Sequence, residues 1–566
     1  MKKLLIFSLL LLIVSTFALA IPAKRGQWRN ITLTDGTTVK VEVVGDENGH
    51  YFIAEDGSTY QMHDGSFVRS DLIKLNAKIR ERRALVNARR AACLNKASVG
   101  KVDTIIGERK GLVILVEYQD VKFKPENLVK FQDVFNKENY VTNEGFVGSV
   151  RDYFIAQSDS LFQIDFDIFG PVTLSHKMNY YGKNDENGND MYAWQMTIEG
   201  CKAIDSLVNF ADYDWDGDGE VEQVYVSYAG YSESDNSYTM PETVWPHEWY
   251  LSAATGNPLV LDNVSIDTYA CGSELSAYGK IDGIGTACHE FSHCLGFTDS
   301  YDTGNGKNMG MGEWDVMAIG SYNGNGFCPP NYSAFQKSSI GWIELIELTT
   351  DTLINNLKPV AEGGKAYKLV NSGYPDECFI IENRQKNGWD KSLPGEGLMI
   401  NYIDYDEDLW NNNVVNAIGN LADIYGIDPS DYWYNYFHSI SNDHQRITIF
   451  RANNKSNSYS SYNDLYPYRT NNCLSPTSKP SSKLYHKNAL GTMFMDLSIV
   501  GITQNDDGTM SFRTLAEQIQ PDAIFTQNVQ PSSTISIYTL DGRYVGTDLT
   551  SLKHGLYVVN GRKVVK

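Results

Sequence analysis

The stretch TACHEFSHCLGFTDSYD, residues Thr286–Asp302, places two histidines and a glutamate at spacings that suit a single metal ion. His289 and His293 are four residues apart, so on a helix both imidazoles project from the same face. Glu290 follows the first histidine, where its carboxylate can reach a water molecule at the metal. These residues predict a helix that carries a metal centre and a general base.

The residues that follow extend this short motif. Gly296 comes three residues after His293, and Asp299 comes three residues after Gly296. Glycine can adopt the left-handed conformation that ends a helix, which would turn the chain and bring Asp299 back as a third ligand. Three protein ligands with one open position are typical of catalytic zinc, whereas a polar helix with satisfied histidines is the alternative. Asp302 is a candidate acceptor for a histidine N–H and the alternative third ligand.

The stretch HEFSHCLGFTDSYD, followed by GMGEWDVMAIGSYNG (Gly310–Gly324), resembles the metzincin-type metallopeptidases of the immune inhibitor A family. Met317 matches the methionine of the turn that lies beneath the metal in such enzymes. The resemblance extends to WPHEW (Trp245–Trp249), PPNYSAFQKSSIGW and GLVILVEYQDVKF, and residues 30–100 resemble the propeptide of that family.

This resemblance implies a secreted endopeptidase that uses Zn²⁺ to hydrolyse protein or peptide substrates. His289, His293 and Asp299 would hold the zinc, and Glu290 would act as the general base. The residue that stabilises the oxyanion is left open among His247, Tyr322 and Tyr332.

Composition excludes one broad class of function. The chain has 566 residues, of which 42% are hydrophobic, and a formal net charge of -22. A chain this long predicts about three to four folding units. The negative charge would repel a phosphate backbone and argues against nucleic-acid binding. The predicted fold class is α+β and multidomain, with a metzincin-like α/β catalytic domain.

The amino-terminal residues MKKLLIFSLLLLIVSTFALA predict a signal peptide over residues 1–20. Two lysines precede a short apolar run, and Ala18-Leu19-Ala20 forms a small-x-small cleavage site. A membrane anchor is the alternative, but the apolar run is short for a span of about 20 residues. The expected location is therefore secreted or at the cell surface.

Residues 21–102 are expected to form a propeptide in two parts. Asp35-Gly36, Asp56-Gly57 and Asp64-Gly65 predict hairpin turns between short strands. Residues 74–101 then predict a helix with nine lysines and arginines against one glutamate. This helix is either a solvated linker or an activation segment with dibasic sites at Arg82-Arg83 and Arg89-Arg90. Cys93 is a candidate thiolate ligand that would block the zinc until activation.

The remaining boundaries follow from changes in strand and helix patterning. Residues 103–345 form the expected catalytic domain, and residues 346–520 form a β-rich domain with short alternating segments. Residues 523–566 predict a small all-β module. Its segments ISIYTLDGRYVG and HGLYVVNGRKVVK resemble the sorting domain of type IX secretion cargo, which implies contact with secretion machinery.

A second metal signal lies in DYDWDGDGEVEQ, residues Asp212–Gln223. Alternating carboxylates around a glycine turn suit Ca²⁺, which prefers hard oxygen ligands, and the alternative is an acidic turn. A complete EF-hand is disfavoured because Gln223 stands where that loop needs a glutamate. The predicted calcium ligands are Asp214, Asp216, Asp218, Glu222 and the backbone carbonyl of Glu220.

Two other function classes compete with the protease. One is a surface adhesin on an inactive protease scaffold, although the intact ligands and Glu290 argue against it. The other is hydrolysis of a different amide, such as a peptidoglycan crosslink. Export would permit disulfides among the eight cysteines, whose pairing the sequence does not define, and the oligomeric state is equally undefined.

Overall fold

The computed structural model describes residues 22–70, 105–516 and 536–566, apart from gaps of one to three residues inside these ranges. The expected signal peptide, the basic stretch 74–101 and Cys93 lie outside the described residues. The described residues form two compact units, which divide between Leu515 and Ala516. Sheets alternate with mostly short helices, which confirms a mixed α+β architecture.

The amino-terminal region forms a five-stranded antiparallel sheet in the order β1-β2-β3-β4-β5. The turns predicted at Asp35-Gly36 and Asp56-Gly57 are confirmed, since they connect β1 to β2 and β3 to β4. The third predicted turn, Asp64-Gly65, falls in a gap of the description. The strands are β1 (Arg29–Thr32), β2 (Thr38–Asp46), β3 (Gly49–Ala54), β4 (Thr59–His63) and β5 (Ser66–Arg69).

The region expected to be catalytic, called the catalytic region below, is built around a second five-stranded sheet in the order β10-β13-β9-β6-β7. Its strands and the short strands beside them are β6 (Gly107–Glu117), β7 (Phe162–Thr173), β8 (Glu220–Val221), β9 (Val224–Tyr231), β10 (His247–Tyr250), β11 (Leu259–Leu261), β12 (Val264–Ile266) and β13 (Thr268–Leu275). Its helices are α1 (Pro125–Leu128), α2 (Phe131–Asn136), α3 (Val150–Gln157), α4 (Met178–Tyr181), α5 (Ala193–Ile204), α6 (Glu233–Asn236), α7 (Leu251–Thr255), α8 (Gly285–Cys294) and α9 (Ala334–Ser339).

Side chains of strand β6 pack into apolar cores on both faces of this sheet. The strand is parallel to β7 and β9, while β10 runs antiparallel to β13 at the sheet edge. Val113 and Leu115 pack into the core that contains α3 and α8, and Leu112 and Ile114 pack into the core that contains α5. Burial of both faces accounts for the continuous apolar run in the sequence.

The region after Trp342 is β-rich, as predicted, but three short helices interrupt it. Two sheets have the orders β14-β16-β17-β18-β21 and β15-β23-β22, and β19 pairs with β20. The strands are β14 (Leu345–Glu347), β15 (Thr352–Leu357), β16 (Ala366–Val370), β17 (Glu377–Arg384), β18 (Gly397–Asp404), β19 (Gly419–Asn420), β20 (Ser441–Asn442), β21 (Ile447–Ile449), β22 (Leu497–Gln504) and β23 (Met510–Ala516). The helices are α10 (Glu407–Asn411), α11 (Leu421–Tyr425) and α12 (Tyr434–Ser439).

The catalytic and β-rich regions share one core rather than forming separate lobes. Trp314 and Ala334 pack in the same apolar cluster as Ile380 and Met399. The indole N–H of Trp314 also donates to Asp464 Oδ2 at 3.1 Å. This contact surface brings loops of the β-rich region close to the histidine-bearing helix.

The carboxy-terminal unit contains a four-stranded sheet in the order β25-β24-β26-β27. Its strands are β24 (Ile537–Thr539), β25 (Tyr544–Gly546), β26 (Leu556–Val559) and β27 (Arg562–Val565). No helix among the described residues has both the length and the apolar character needed to cross a bilayer.

Candidate metal centre

Helix α8 and the bend after it place the histidines and Asp299. The helix spans Gly285–Cys294, as the sequence predicts, and Gly296 has a φ of 86°. That left-handed conformation strains most residues with a Cβ, so it favours glycine at this position. The chain then reverses, and Asp299 returns toward the histidines with its side chain fully buried.

Backbone carbonyls fix the tautomer of both imidazoles. His289 Nδ1 lies 2.7 Å from the carbonyl oxygen of Val316, and His293 Nδ1 lies 2.8 Å from that of Phe297. A carbonyl can only accept a hydrogen bond, so each Nδ1 carries the proton and each Nε2 presents a lone pair. Neutral imidazoles oriented in this way are suited to binding a metal through Nε2.

The three predicted ligands meet around one point. Asp299 Oδ1 lies 3.3 Å from His289 Nε2 and 3.7 Å from His293 Nε2. Zinc bonds of about 2.0–2.1 Å at a tetrahedral angle would separate two ligand atoms by about 3.4 Å. The donor set is buried and contains two imidazoles and one carboxylate, which suits zinc. These residues therefore fit a single zinc ion.

Asn413, from the loop after α10, holds Asp299 in this position. Its amide donates to Asp299 Oδ2 at 2.6 Å, and its own Oδ1 accepts from the Asp299 backbone N–H at 2.7 Å. Burial disfavours the charged carboxylate of Asp299, and the hydrogen bond from the Asn413 amide favours it. The second oxygen of Asp299 is thus occupied, which leaves Oδ1 directed at the histidines.

The turn that contains Met317 contacts the first of the two histidines. Met317 is fully buried in the core that also contains Phe291 of α8. Its carbonyl accepts from the Ser300 N–H at 2.8 Å, and the preceding carbonyl, that of Val316, binds His289. The predicted place of Met317 beneath the metal stays a prediction.

Two buried glutamates lie beside the ligands. Glu290 is fully buried on α8. One carboxylate oxygen of Glu290, one of Glu248 and a ring nitrogen of His293 lie within 4.8 Å of one another. Glu248 comes from the edge strand β10, so this strand passes next to the predicted base. The sequence analysis did not single out Glu248, although WPHEW contains it.

The interpretation of Asp302 as the partner of a ligand histidine is wrong. Both histidine Nδ1 atoms bind backbone carbonyls instead. Asp302 Oδ1 accepts from the Gly304 N–H at 2.9 Å, and Oδ2 accepts from Asn308 at 3.3 Å. Its carboxylate therefore shapes the loop after the metal site, and Asp299 is the aspartate that joins the histidines.

The three candidates for oxyanion stabilisation lie in different surroundings. Tyr332 is buried and contacts Ser292 on the core side of α8, which removes it from a substrate-facing position. His247 lies between the Trp245 carbonyl and the Tyr269 hydroxyl. The Tyr322 hydroxyl donates to the carbonyl of Pro22 at 3.1 Å, so it faces the amino-terminal segment.

The acidic loop partly matches the predicted calcium site. Asp214, Asp216 and Asp218 bring carboxylate oxygens within 4.8 Å of one another. Both oxygens of Glu222 accept from the Trp215 N–H, at 2.7 and 2.8 Å, and its ligand role stays a prediction. Burial raises the pKa of Glu222 to about 8. Glu220 begins β8, and the ligand role predicted for its carbonyl stays a prediction.

The seven cysteines within the described residues are all free thiols: Cys201, Cys271, Cys288, Cys294, Cys328, Cys378 and Cys473. Burial raises the pKa of the Cys288 and Cys294 thiols on α8 well above the usual value. These two thiols are therefore protonated, and neither is a candidate ligand of the metal centre.

Replacing Asn413 by Ala should weaken metal binding about 10–100-fold, because residues that orient a ligand contribute this much to affinity. The change removes the hydrogen bond that holds the Asp299 side chain, but all three candidate ligand residues are still present. Competition with a chromophoric chelator would measure the affinity. Asn411→Ala, at the end of α10, is the matched control and should bind metal as tightly as the wild type. Equal affinities for both variants would show that Asn413 does not position the ligand.

Comparisons with known proteins match the part of the chain that contains these residues. Residues 101–343 match the sequence model of the immune inhibitor A peptidase M6 catalytic domain. Immune inhibitor A of Bacillus thuringiensis subsp. alesti is 24% identical over 415 residues, which cover 62% of this chain and 58% of that protein. The pre-pro-metalloprotease PrtV of Vibrio cholerae serotype O1 (strain M66-2) is 26% identical over 314 residues, which cover 46% and 33%.

The crystal structure of metalloproteinase-II from Bacteroides fragilis aligns with 56% of this chain and 91% of its own, at 12% identity and a TM-score of 0.19. No argument about the fold rests on so low a score. The chain spans less than two thirds of the length of both sequence relatives. The matched segment contains the helix, the glycine bend and all three candidate ligands, and residues 101–343 are similar to the catalytic domain of the immune inhibitor A peptidase M6 family.

Proposed function

We propose that the protein is a secreted zinc endopeptidase of the metzincin type. The observation that carries this proposal is the convergence of His289 Nε2, His293 Nε2 and Asp299 Oδ1 beside the buried carboxylate of Glu290. Three ligands that leave one position open, next to a carboxylate that is not itself a ligand, suit hydrolysis rather than a closed structural site.

In this proposal each residue has a separate task. His289, His293 and Asp299 would hold the zinc, and the chemistry it supplies when bound is Lewis-acid polarisation and a lower pKa of water, toward about 7. Glu290 accepts the proton of the attacking water and then delivers it to the leaving amine. The carbonyls of Val316 and Phe297 keep both imidazoles in the binding tautomer.

We further propose that residues 21–102 keep the enzyme latent. The described part of this segment packs against the catalytic region, since Trp245 and Tyr238 belong to the same apolar cluster as Val41 and Phe52 of the amino-terminal sheet. The Tyr238 hydroxyl donates to the Val41 carbonyl at 3.2 Å. A segment held in this way would cover part of the surface that a substrate must reach, and cleavage in the basic stretch 74–101 would release it.

The acidic loop is proposed as a calcium site with a structural role. Its three aspartates repel one another unless a cation is bound, and carboxylate oxygens are the ligands that Ca²⁺ prefers. Calcium should then raise the melting temperature of the chelator-treated protein, and zinc should not replace it. An unchanged melting temperature on calcium addition would remove this part of the proposal.

We propose export through residues 1–20 and sorting through the carboxy-terminal unit, based on the sequence features and the compact four-stranded sheet. Terminal sequencing of the exported protein checks both ends together. The expected product begins at Ile21 or later and lacks residues 523–566. An exported product that keeps the complete tail argues against a removable sorting signal.

Digestion of casein tests the proposed activity. Protein that lacks residues 1–102 should digest casein, the full-length chain should be much less active, and a zinc chelator should abolish digestion until about one equivalent of zinc is restored. Binding of host protein or glycan without cleavage would favour the adhesin instead. Cleavage of peptidoglycan peptides but not casein would favour hydrolysis of the other amide.

A further inference from the structure

A histidine of the amino-terminal sheet inserts into a pocket of the catalytic region. His50 of β3 places Nε2 3.2 Å from Glu233 Oε1. Its ring stacks on the Trp245 indole, with centroids 4.6 Å apart and planes inclined by 27°. The exposed fractions are 7% for His50, 1% for Glu233 and 2% for Trp245, so the contact is sealed from solvent.

The pocket has the chemistry of a receptor for a cationic side chain. Glu233 supplies a buried carboxylate, and Trp245 supplies an aromatic face, which attracts cations. Asn184 donates to Glu233 Oε1 at 3.0 Å and fixes the carboxylate. Oε2 of Glu233 has no hydrogen-bond partner within the described residues. That oxygen would let a guanidinium bind with two parallel hydrogen bonds, which an imidazole cannot form.

The pocket lies close to the predicted catalytic base. Trp245 precedes Glu248 by three residues, so their Cα atoms are at most about 10 Å apart. Glu248 lies within 4.8 Å of Glu290 and His293. A polypeptide that reached Glu290 would therefore pass within a few residues of the pocket.

Release of the amino-terminal sheet would leave Glu233 without its His50 partner. Burial raises the pKa of Glu233, and His50 opposes that rise. The carboxylate would then lack one of its partners, so a cation in the pocket would be favoured. His50 of the amino-terminal sheet thus occupies the pocket formed by Glu233 and Trp245, and another basic side chain can take its place.

We propose, on the basis of the endopeptidase function proposed above, that Glu233 and Trp245 form a specificity pocket for a basic side chain of the substrate, with arginine preferred. His50 occupies this pocket while the amino-terminal sheet is in place. The substrates would then be polypeptides with an arginine or lysine a few residues from the cleaved bond.

Cleavage of a peptide library tests this proposal, using full-length protein activated by limited trypsin cleavage in the basic stretch 74–101. At one position within about four residues of the cleaved bond, arginine should raise kcat/KM at least tenfold over glutamine, about 1.4 kcal/mol. Glu233→Gln should bring this ratio close to one. Glu242→Gln removes the same charge from an exposed residue nearby and should keep the ratio.

The outcomes distinguish failure of the proposed specificity pocket from failure of the proposed endopeptidase function. Cleavage without any preference for basic residues overturns the pocket and leaves the endopeptidase intact, whereas no cleavage at all overturns both. A Glu233 with only a structural role would lower kcat/KM for arginine and glutamine peptides equally, which also contradicts the proposal. If Glu233→Gln fails to fold, the wild-type library profile decides the question alone.

Discussion

Replacing Glu290 by Gln should lower kcat by about 10²–10⁴-fold, the range that general-base catalysis contributes. Glutamine has nearly the same shape as glutamate but cannot accept the proton of the attacking water. The variant should retain one equivalent of zinc, because Glu290 is not one of the three convergent ligands His289, His293 and Asp299. Metal analysis of the dialysed variant and a peptide-cleavage assay would measure the two effects separately.

The matched control is Glu242→Gln, an exposed glutamate in the same region. It should have wild-type kcat and wild-type zinc content. A Glu290→Gln variant with near-wild-type kcat would show that another group takes the proton. Loss of zinc from that variant would instead make Glu290 a ligand, which contradicts its assignment as the base.

Replacing Asp299 by Asn should remove most of the bound zinc and lower activity at least as far as the loss of Glu290 does. The change removes the only anionic group among the three ligands, and a neutral amide is a weak ligand for zinc. The amide can still bind Asn413, so the loop after α8 should keep its fold. Zinc content after dialysis and far-UV circular dichroism would report the two effects.

Asp302→Asn is the informative control for Asp299. It lies three residues further along, and its carboxylate binds the Gly304 N–H and Asn308 in the loop. The variant should retain its zinc. If Asp302→Asn lost the metal while Asp299→Asn kept it, the assignment of the third ligand would be reversed.

Much of the metal centre could be predicted from one short segment because its geometry is local. The four-residue spacing of the histidines fixes their common face, and the glycine φ of 86° produces the predicted bend. The N-terminal hairpins are also local, since a single Asp-Gly pair sets each turn. Such features depend on neighbours in sequence, which a pattern can show.

Contacts between distant segments could not be predicted in the same way. Asn413 follows Asp299 by 114 residues, and nothing in its local sequence marks it as a partner of a ligand. The Asp302 interpretation is wrong because backbone carbonyls, which every residue carries, bind the histidine N–H groups. Glu222 matched a ligand spacing, but its carboxylate satisfies the Trp215 N–H inside the same loop.

X-ray diffraction at the zinc absorption edge, from crystals of the zinc-loaded protein, tests the central claim most directly. The account predicts one strong anomalous peak bonded to His289 Nε2, His293 Nε2 and Asp299 Oδ1 at about 2.0–2.1 Å. The peak should have a further coordination position open to solvent, beside Glu290. A zinc ion bound elsewhere, or one that lacks any of these three ligands, would contradict the account.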